Sequence, residues 1–398
     1  MLLIDEPYVS GFLKDTLREH NYPVISTPTA KRLLPEGGYH WITEAEASAR
    51  LREAVAPRVY ANSESALPWV TQHGAQHDLV HQVSVLKDKV AFRELIADLF
   101  PDFTFRVERM AGLQALTADE LTFPFVIKPS VGFFSIGVHI VNDADDWARV
   151  QQELQPAKLR SIFPETVLDT SQFILEAFIP GEEYAIDYYH DDEGQVVVLN
   201  ILHHVFSSGT DTSDRVYTTS KDIIVRHEKA VVDFLGAVGR KLNLTNFPAH
   251  AEVRIDEQGR IQPIEINPLR FGGWCTSADL LGVALGYNAY AHFMDNQKPV
   301  WDRIFAGKEE QLFSIVVLDN RSGLVPEDIA GFDYDKLKAD FEHPLEVREF
   351  DVRQYGIFGF LFTETSPAHA GELQRILVSD LTGYIEPGSP GMNPTRFS

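Results

Sequence analysis

The chain has 398 residues, 44% of them hydrophobic and 11% aromatic, enough for two to four domains with a substantial core and too apolar for a disordered chain. With 58 acidic against 35 basic residues its formal charge is -23, which argues against a DNA or RNA partner but leaves room for a nucleotide at a local basic cluster. One cysteine, Cys275, rules out a disulfide framework or a cysteine zinc cage and fits a reducing cytoplasm, while the acidic start of the chain and the lack of an 18-residue apolar run predict neither a signal peptide nor a membrane span.

In chain order, LLID at 2–5, PVIST at 23–27 and RVYA at 58–61 read as strands, with helical patterns after each. Strands alternating with helices predict a parallel, Rossmann-like domain over 1–85, without the glycine fingerprint of a dinucleotide site, so NAD is not assigned. LKDKVAFRELIADLF at 86–100 predicts a continuous helix on which Lys89 and Arg93, four apart, share a face. FPFVIKPS (123–130) and GVHIV (137–141) read as strands around a Ser/Gly loop, and a helix capped by Asn142 or Asp143 follows. QFILEAFI, EEYAIDYYH and QVVVLNILHHVF then predict three successive strands over 172–206. The polar stretch SSGTDTSDRVYTTSKD at 207–222 lacks apolar periodicity and is expected to be a long loop. A helix from about His227 to Leu242, a charged hairpin, and a helical stretch from Ser277 to Asn296 come next. FSIVVLD and YGIFGFLFTET supply strands for a small α+β appendage over 301–398.

The hairpin lies within AHAEVRIDEQGRIQPIEINPLRFGGWCT. Val253 and Ile255 alternate with Glu252 and Arg254, Ile264 and Ile266 with Glu265 and Asn267, and DEQGR is turn chemistry. A turn centred on Gln258-Gly259 sets Glu252 opposite Glu265 and His250 opposite Asn267 on one face. Facing carboxylates repel, so this is either a site for a hard cation such as Mg2+ or the solvated face of an ordinary amphipathic hairpin. Lys128 is a cation in an apolar strand, followed by small residues Ser130, Gly132, Ser135 and Gly137 whose amides suit phosphate, or form only a turn. Glu176 and Glu183 flank the Pro180-Gly181 turn.

Taken together, a DK-containing helix, hydrophobic-Lys-Pro before a Ser/Gly loop, E-x-x-x-x-G-E-E and a terminal E-I-N-P, in this order over about residues 86–295, resemble the ATP-grasp superfamily, in particular its carboxylate-amine ligases. The resemblance implies an α/β fold, α+β overall, with the Rossmann-like domain at 1–85, a lid at 86–170, an antiparallel-sheet catalytic part at 171–300 and the appendage. It implies ATP and one or two Mg2+ ions, with Mn2+ as a substitute. Lys128, and Arg93 or Lys89, would contact the phosphates, with Ser130 also at the cofactor and the Ser135 to Gly137 segment as the flexible phosphate lid. Glu176 and the backbone of Ala177, Phe178 and Ile179 would hold adenine, Glu183 the ribose, and Glu252, Glu265 and Asn267 the metal. Arg270 is the candidate for the acceptor, displaced by Leu269 from the usual place directly after Asn-Pro; Arg215 and Lys221 are second candidates. Glu6 and Ser10 are placed near the acceptor by topology alone.

The expected reaction is ADP-forming ligation of a small carboxylate, an amino acid or peptide, to an amine through an acyl phosphate. Alternatives are phosphoryl transfer to another acceptor or a regulatory ATP-binding module without turnover. The expected setting is cytoplasmic, with small-molecule partners, no nucleic acid and no membrane; the appendage either walls the nucleophile pocket or joins subunits of a homo-oligomer. Cys275 and the His203-His204 pair read as packed or paired side chains, Gly272-Gly273 as a turn or a point of close substrate approach, and His250 as a residue orienting a ligand or substrate.

Overall fold

A computed structural model of the chain describes residues 1–75, 77–131, 137–154, 169–208 and 213–388. Strands β1 (Leu2–Leu3), β2 (Pro23–Ile25), β3 (His40–Ile42) and β4 (Tyr60–Ala61) form a parallel sheet in the order β3-β2-β1-β4. The connecting helices begin at hydroxyl caps: Ser10, Thr27 and Thr43 each accept a backbone N–H three residues on. This is the Rossmann-like arrangement that the alternation predicts, with β3 as an additional short strand.

The 86–100 segment is not one helix. It breaks at Asp88, which is extended (ψ 113) and whose carboxylate caps the Lys89–Ile96 helix by accepting from Val90 and Ala91. The break puts Lys89 at the first helical position, beside the hairpin. A four-stranded antiparallel sheet follows, from β5 (Phe105–Arg109), β6 (Phe125–Val131), β7 (His139–Val141) and β8 (Asp169–Ala177), in the order β5-β8-β6-β7. It has its own core of Leu113, Phe125, Ile127, Trp147, Val150 and Phe173. QFILEAFI therefore lies in this small sheet, so Glu176 and Glu183 sit on different sheets.

The main sheet contains β9 (Glu182–His190), β10 (Val196–Val205), β11 (Val216–Thr219), β12 (Phe247–Ile255), β13 (Ile261–Pro268) and β14 (Leu312–Asp319). After β15 (Ile329–Phe332), β16 (His343–Glu349) and β17 (Ile357–Thr365) complete it, giving eight strands in the order β13-β12-β9-β10-β11-β14-β17-β16. The C-terminal strands β14, β16 and β17 thus extend the main sheet, where a small α+β appendage was expected; only β15 pairs elsewhere, with β18 (Ile385–Pro387). The predicted long loop is also shorter, because VYTT forms β11 between β10 and β14. Tyrosine and β-branched residues suit a pleated strand even where hydroxyls make them look polar. Ser220 then caps a helix that runs from Lys221 to Leu242, six residues longer at its start than expected. No helix among the described residues is long and apolar enough to cross a membrane.

Candidate active site

The hairpin forms with the pairing that alternation demands: Glu252 is opposite Glu265 and His250 opposite Asn267. The turn, however, centres on Gln258, since Ile255 pairs with Ile261. A bulge restores the register, for Glu252 pairs with Glu265 while Val253 pairs with Pro263, leaving Ile264 extra. Pro263 explains its place, because a residue without an N–H cannot continue the ladder. Its carbonyl is taken instead by Arg93 Nη1 at 2.7 Å.

Three cations converge beneath the carboxylates. Lys89 Nζ lies 2.8 Å from Glu265 Oε2, Lys128 Nζ 2.7 Å from Glu176 Oε2, and Arg93 Nε 2.6 Å from Glu176 Oε1. Arg93, with only 2% of its side chain exposed, is a bolt joining the small sheet to the hairpin, so of the pair predicted to reach phosphate, Lys89 is the one at the carboxylate cluster. Glu176, also buried, accepts from Arg93 on one carboxylate oxygen and from Lys128 on the other. Burial alone would raise its pKa, but the two cations outweigh it and hold the carboxyl at about 2. Burial, only partly offset by Glu176, lowers that of Lys128.

One step along the sheet, Glu183 accepts from His204 Nδ1 at 2.9 Å and from Arg254 Nε at 3.2 Å, which outweigh burial and keep its pKa low. Arg254 also donates to the Ile179 carbonyl at 2.8 Å and lies over the rings of Phe178 (5.3 Å) and Phe206 (6.0 Å). The Ala177 N–H is spent on Thr104 and the Phe178 N–H on Pro124, so neither amide is available to a base, whereas the Ile179 N–H has no partner among the described residues. His203 and His204 are each paired with a glutamate, Glu182 and Glu183.

Residues 121–278 match the sequence profile of the ATP-grasp domain. The chain contains an ATP-grasp domain. Two curated relatives match it in part. The C-terminal section of the carbamoyl phosphate synthase large chain of Methanopyrus kandleri is 23% identical over 153 residues, covering 38% of this chain and 26% of the relative. D-alanine–D-alanine ligase of Bacillus anthracis is 33% identical over 104 residues, covering 26% and 29%. The matches therefore span under a third of those relatives' length. Solved structures share the fold over nearly the whole chain. An L-amino acid ligase from Bacillus licheniformis has a TM-score of 0.64 at 18% identity and covers 98% of each chain. N5-carboxyaminoimidazole ribonucleotide synthetase from Thermotoga maritima has a TM-score of 0.61 at 12% identity, over 98% of this chain and 99% of that one.

Within the ATP-grasp domain, the donor set fits a divalent cation. Burial and the neighbouring Glu265, Glu183 and Asp214 push the Glu252 carboxyl well above its ordinary pKa, whereas Glu265, despite its burial, is held low by Lys89, Lys128 and Asn267. Asn267 Nδ2 donates to Glu265 Oε1 at 3.1 Å, leaving its amide oxygen as a third hard donor. An acid destabilised in its charged form by another acid, and still 34% exposed, is the arrangement that a bound cation relieves. Because the folded-state pKa is raised, Glu252 stabilises the metal-free protein only at low pH and costs stability once pH rises through that pKa. Glu252→Gln is accordingly expected to raise the melting temperature of the metal-free protein at pH 8. Thermal melts with EDTA and with Mg2+ check this; an unchanged or lower melting temperature in EDTA would contradict it.

Leu269 accounts for the displaced arginine. It is fully buried and left-handed (φ 60), its N–H donates to the Pro248 carbonyl at 2.8 Å, and its carbonyl accepts from Ala61 at the end of β4 at 2.7 Å. The extra residue is thus a connector to the Rossmann-like domain, and it delivers Arg270 to Glu64 of that domain, Nη2 to Oε1 3.4 Å. Arg270 Nε is buried without a hydrogen-bond partner among the described residues. The other acceptor candidates are not brought here. Lys221 begins a helix and pairs with Asp302 at 2.8 Å, and buried Arg215 pairs with Asp319, at the end of β14, at 2.6 Å. Glu6 pairs with Arg32, and Ser10 is a buried helix cap. Ser130 is buried, Gly137 is left-handed (φ 74), and Ser135 lies outside the described residues. Cys275 is packed, its thiol pushed by burial up to about 11.

Sequence reasoning did not find Asp187 and Glu64. Asp187 lies opposite His250 in β9 and is fully buried; its signal was an acid alternating onto the same face as Glu183. Glu64 carries no local signal, since its partner Arg270 is more than two hundred residues away.

Proposed function

We propose that the protein is an ATP-dependent, ADP-forming ligase that joins a small carboxylate, an amino acid or peptide, to an amine. The observation that carries this reading is the order of the rows along β12: Arg254 with Glu183, then Glu252 with Glu265 above Lys89 and Lys128, then His250 with Asn267 and Asp187. These rows fit a ribose, a metal-bound triphosphate and an acceptor in succession. Bound Mg-ATP supplies a γ-phosphoryl group that the acceptor carboxylate takes with release of ADP, and the amine then displaces phosphate from the resulting acyl group as the C–N bond forms.

The chain's own groups hold and screen. Glu183 accepts from ribose hydroxyls, Lys89 and Lys128 offset phosphate charge, and Glu252, Glu265 and Asn267 hold the cation. Arg270, anchored by Glu64 and with Nε unpaired, faces the acceptor carboxylate. The homology and the fold support an ATP site; the ordered rows support a carboxylate acceptor beyond it.

Wild-type protein with Mg-ATP, hydroxylamine and each of the common L-amino acids in turn is expected to release ADP and phosphate and to form a hydroxamate with at least one acid. A stable phosphorylated product without phosphate release would replace ligation by phosphoryl transfer. ATP binding with no turnover on any acid would favour the regulatory reading.

A further inference from the structure

The row beyond the metal carboxylates is built with more care than a sheet face requires. Asp187, 0% exposed, accepts from His250 Nδ1 at 2.7 Å, from the Gly272 N–H at 2.9 Å and from the Ser277 hydroxyl. Its Oδ1 already takes the Gly272 amide, so it presents lone pairs to the ring and Nδ1 carries the proton. With Nδ1 as the donor to Asp187, the uncharged form of the ring carries its lone pair on Nε2, the nitrogen 3.8 Å from Glu252 Oε1. The ring is also locked from the side. A Cβ on Gly272 would meet Ser277 Oγ at 2.2 Å and His250 Cε1 at 3.2 Å, so only glycine lets the 271–275 turn close on the histidine. Trp274 and Cys275 in that turn are left-handed (φ 58 and 59) although neither is glycine, strain that the surrounding contacts hold in place.

Direction along the sheet assigns a role. Two residues of strand span about 7 Å. From the Arg254 and Glu183 row to the Glu252 and Glu265 row is one such step, and His250 is one step further from the ribose end. His250 therefore stands past the γ-phosphoryl position, between the cation site and the turn that follows Arg270.

We infer that His250 is the hydrogen-bond acceptor for the incoming amine, receiving an amine N–H at Nε2 and so aiming the nitrogen lone pair at the acyl carbon, and that Asp187 is the positioning residue that fixes this tautomer. The nucleophile would then be a primary or secondary amine, since a tertiary amine has no N–H to offer. This rests on the ligase reading above and concerns only its second half. It makes an asymmetric prediction: nucleotide binding uses the earlier rows and acyl phosphate formation uses those rows with Asn267 and Arg270, so both are spared when His250 alone is altered.

The test uses hydroxylamine as the amine, with Mg-ATP and the acid on which wild type is most active, and the variants His250→Ala, His250→Gln and Asp187→Asn. His250→Ala is expected to raise the KM for hydroxylamine at least about tenfold. The affinity for ATP should stay within about twofold, and the scrambling of bridging 18O in ATP that reports acyl phosphate formation should be unchanged. His250→Gln, which returns an acceptor atom near Nε2, should recover part of the loss. Asp187→Asn can keep its carbonyl oxygen on the Gly272 N–H and on Nδ1 while its amide turns to the Ser277 hydroxyl, so it should retain the tautomer and raise the KM less than His250→Ala does. If Asp187→Asn melts far below wild type, the two His250 variants decide alone. A hydroxylamine KM unchanged in His250→Ala overturns the inference, as does a fall in ATP affinity or 18O scrambling equal to the fall in hydroxamate, which would make His250 a support for the cation ligands. A wild type that forms no hydroxamate with any acid defeats the ligase reading itself and is thereby distinguished from failure of this inference.

Discussion

Glu265→Ala is expected to lower ADP release by a factor on the order of 10^3 or more while leaving a cooperatively folded protein. Glu265 is the carboxylate on which the site converges: it faces Glu252 across the hairpin, accepts from Asn267 and is held by Lys89. In the proposed site, removing it takes one of three hard donors from the cation and leaves Lys89 without its counter-charge. Loss of a single preorganised electrostatic group costs about 10^2 to 10^3 in rate, and a metal ligand whose loss also misplaces a phosphate cation costs at least that. The fold should persist, because the side chain is 21% exposed and is not part of the hydrophobic core. ADP release in a coupled assay, ATP affinity by calorimetry and a thermal melt separate the outcomes. A variant retaining a tenth of wild-type turnover would remove Glu265 from the cation site.

The largest stability effect is expected at Glu176→Gln, with a loss of roughly 3 to 5 kcal/mol. In the wild type one carboxylate serves two buried cations, and the charges were desolvated together. Glutamine keeps the shape and removes the counter-charge, leaving Arg93 and Lys128 both uncompensated. The pH dependence carries the same signature. The Glu176 pKa is held at about 2 against an ordinary value of 4.5, so its contribution, about 3 kcal/mol, is fully present above pH 4.5 and is lost as pH falls through about 2. Urea denaturation of wild type and Glu176→Gln at neutral pH and at about pH 3 should show the gap narrowing on acidification. A difference under about 1 kcal/mol at neutral pH, or one independent of pH, would mean that the cations find other partners. Arg93 also ties β8 to the Pro263 carbonyl, so this cluster is what fixes the small sheet against the hairpin.

These expectations differ in how far they were legible in the chain. Alternation by itself placed Glu252 against Glu265 and His250 against Asn267, because strand periodicity is a local property and leaves one face for the acids. The Asp143 helix cap and the parallel pairing of the first domain were legible for the same reason: each depends on residues within a few positions of one another. The resemblance of four ordered motifs to ATP-grasp ligases agrees with the profile match over 121–278 and with the shared fold.

What failed was whatever depends on distant partners. Glu176 looked like an open carboxylate until Arg93 and Lys128 closed on it, and Arg215 like a free cation until Asp319 was brought to it across the sheet. The long-loop reading of 207–222 gave way at β11, whose hydroxyl-rich strand is defined by its neighbours β10 and β14 more than by its own polarity. The sequence alone settled the alternation that faces the acids together, the small-residue segments and the order of motifs, because these are written in spacings of two to four residues. Only the tertiary structure decided which cation meets which acid, why Leu269 intervenes before Arg270, and that Asp187 stands behind His250. Charge pairing is long-range in sequence and short-range in space, so partners separated by sixty to two hundred residues leave no periodic trace in the chain.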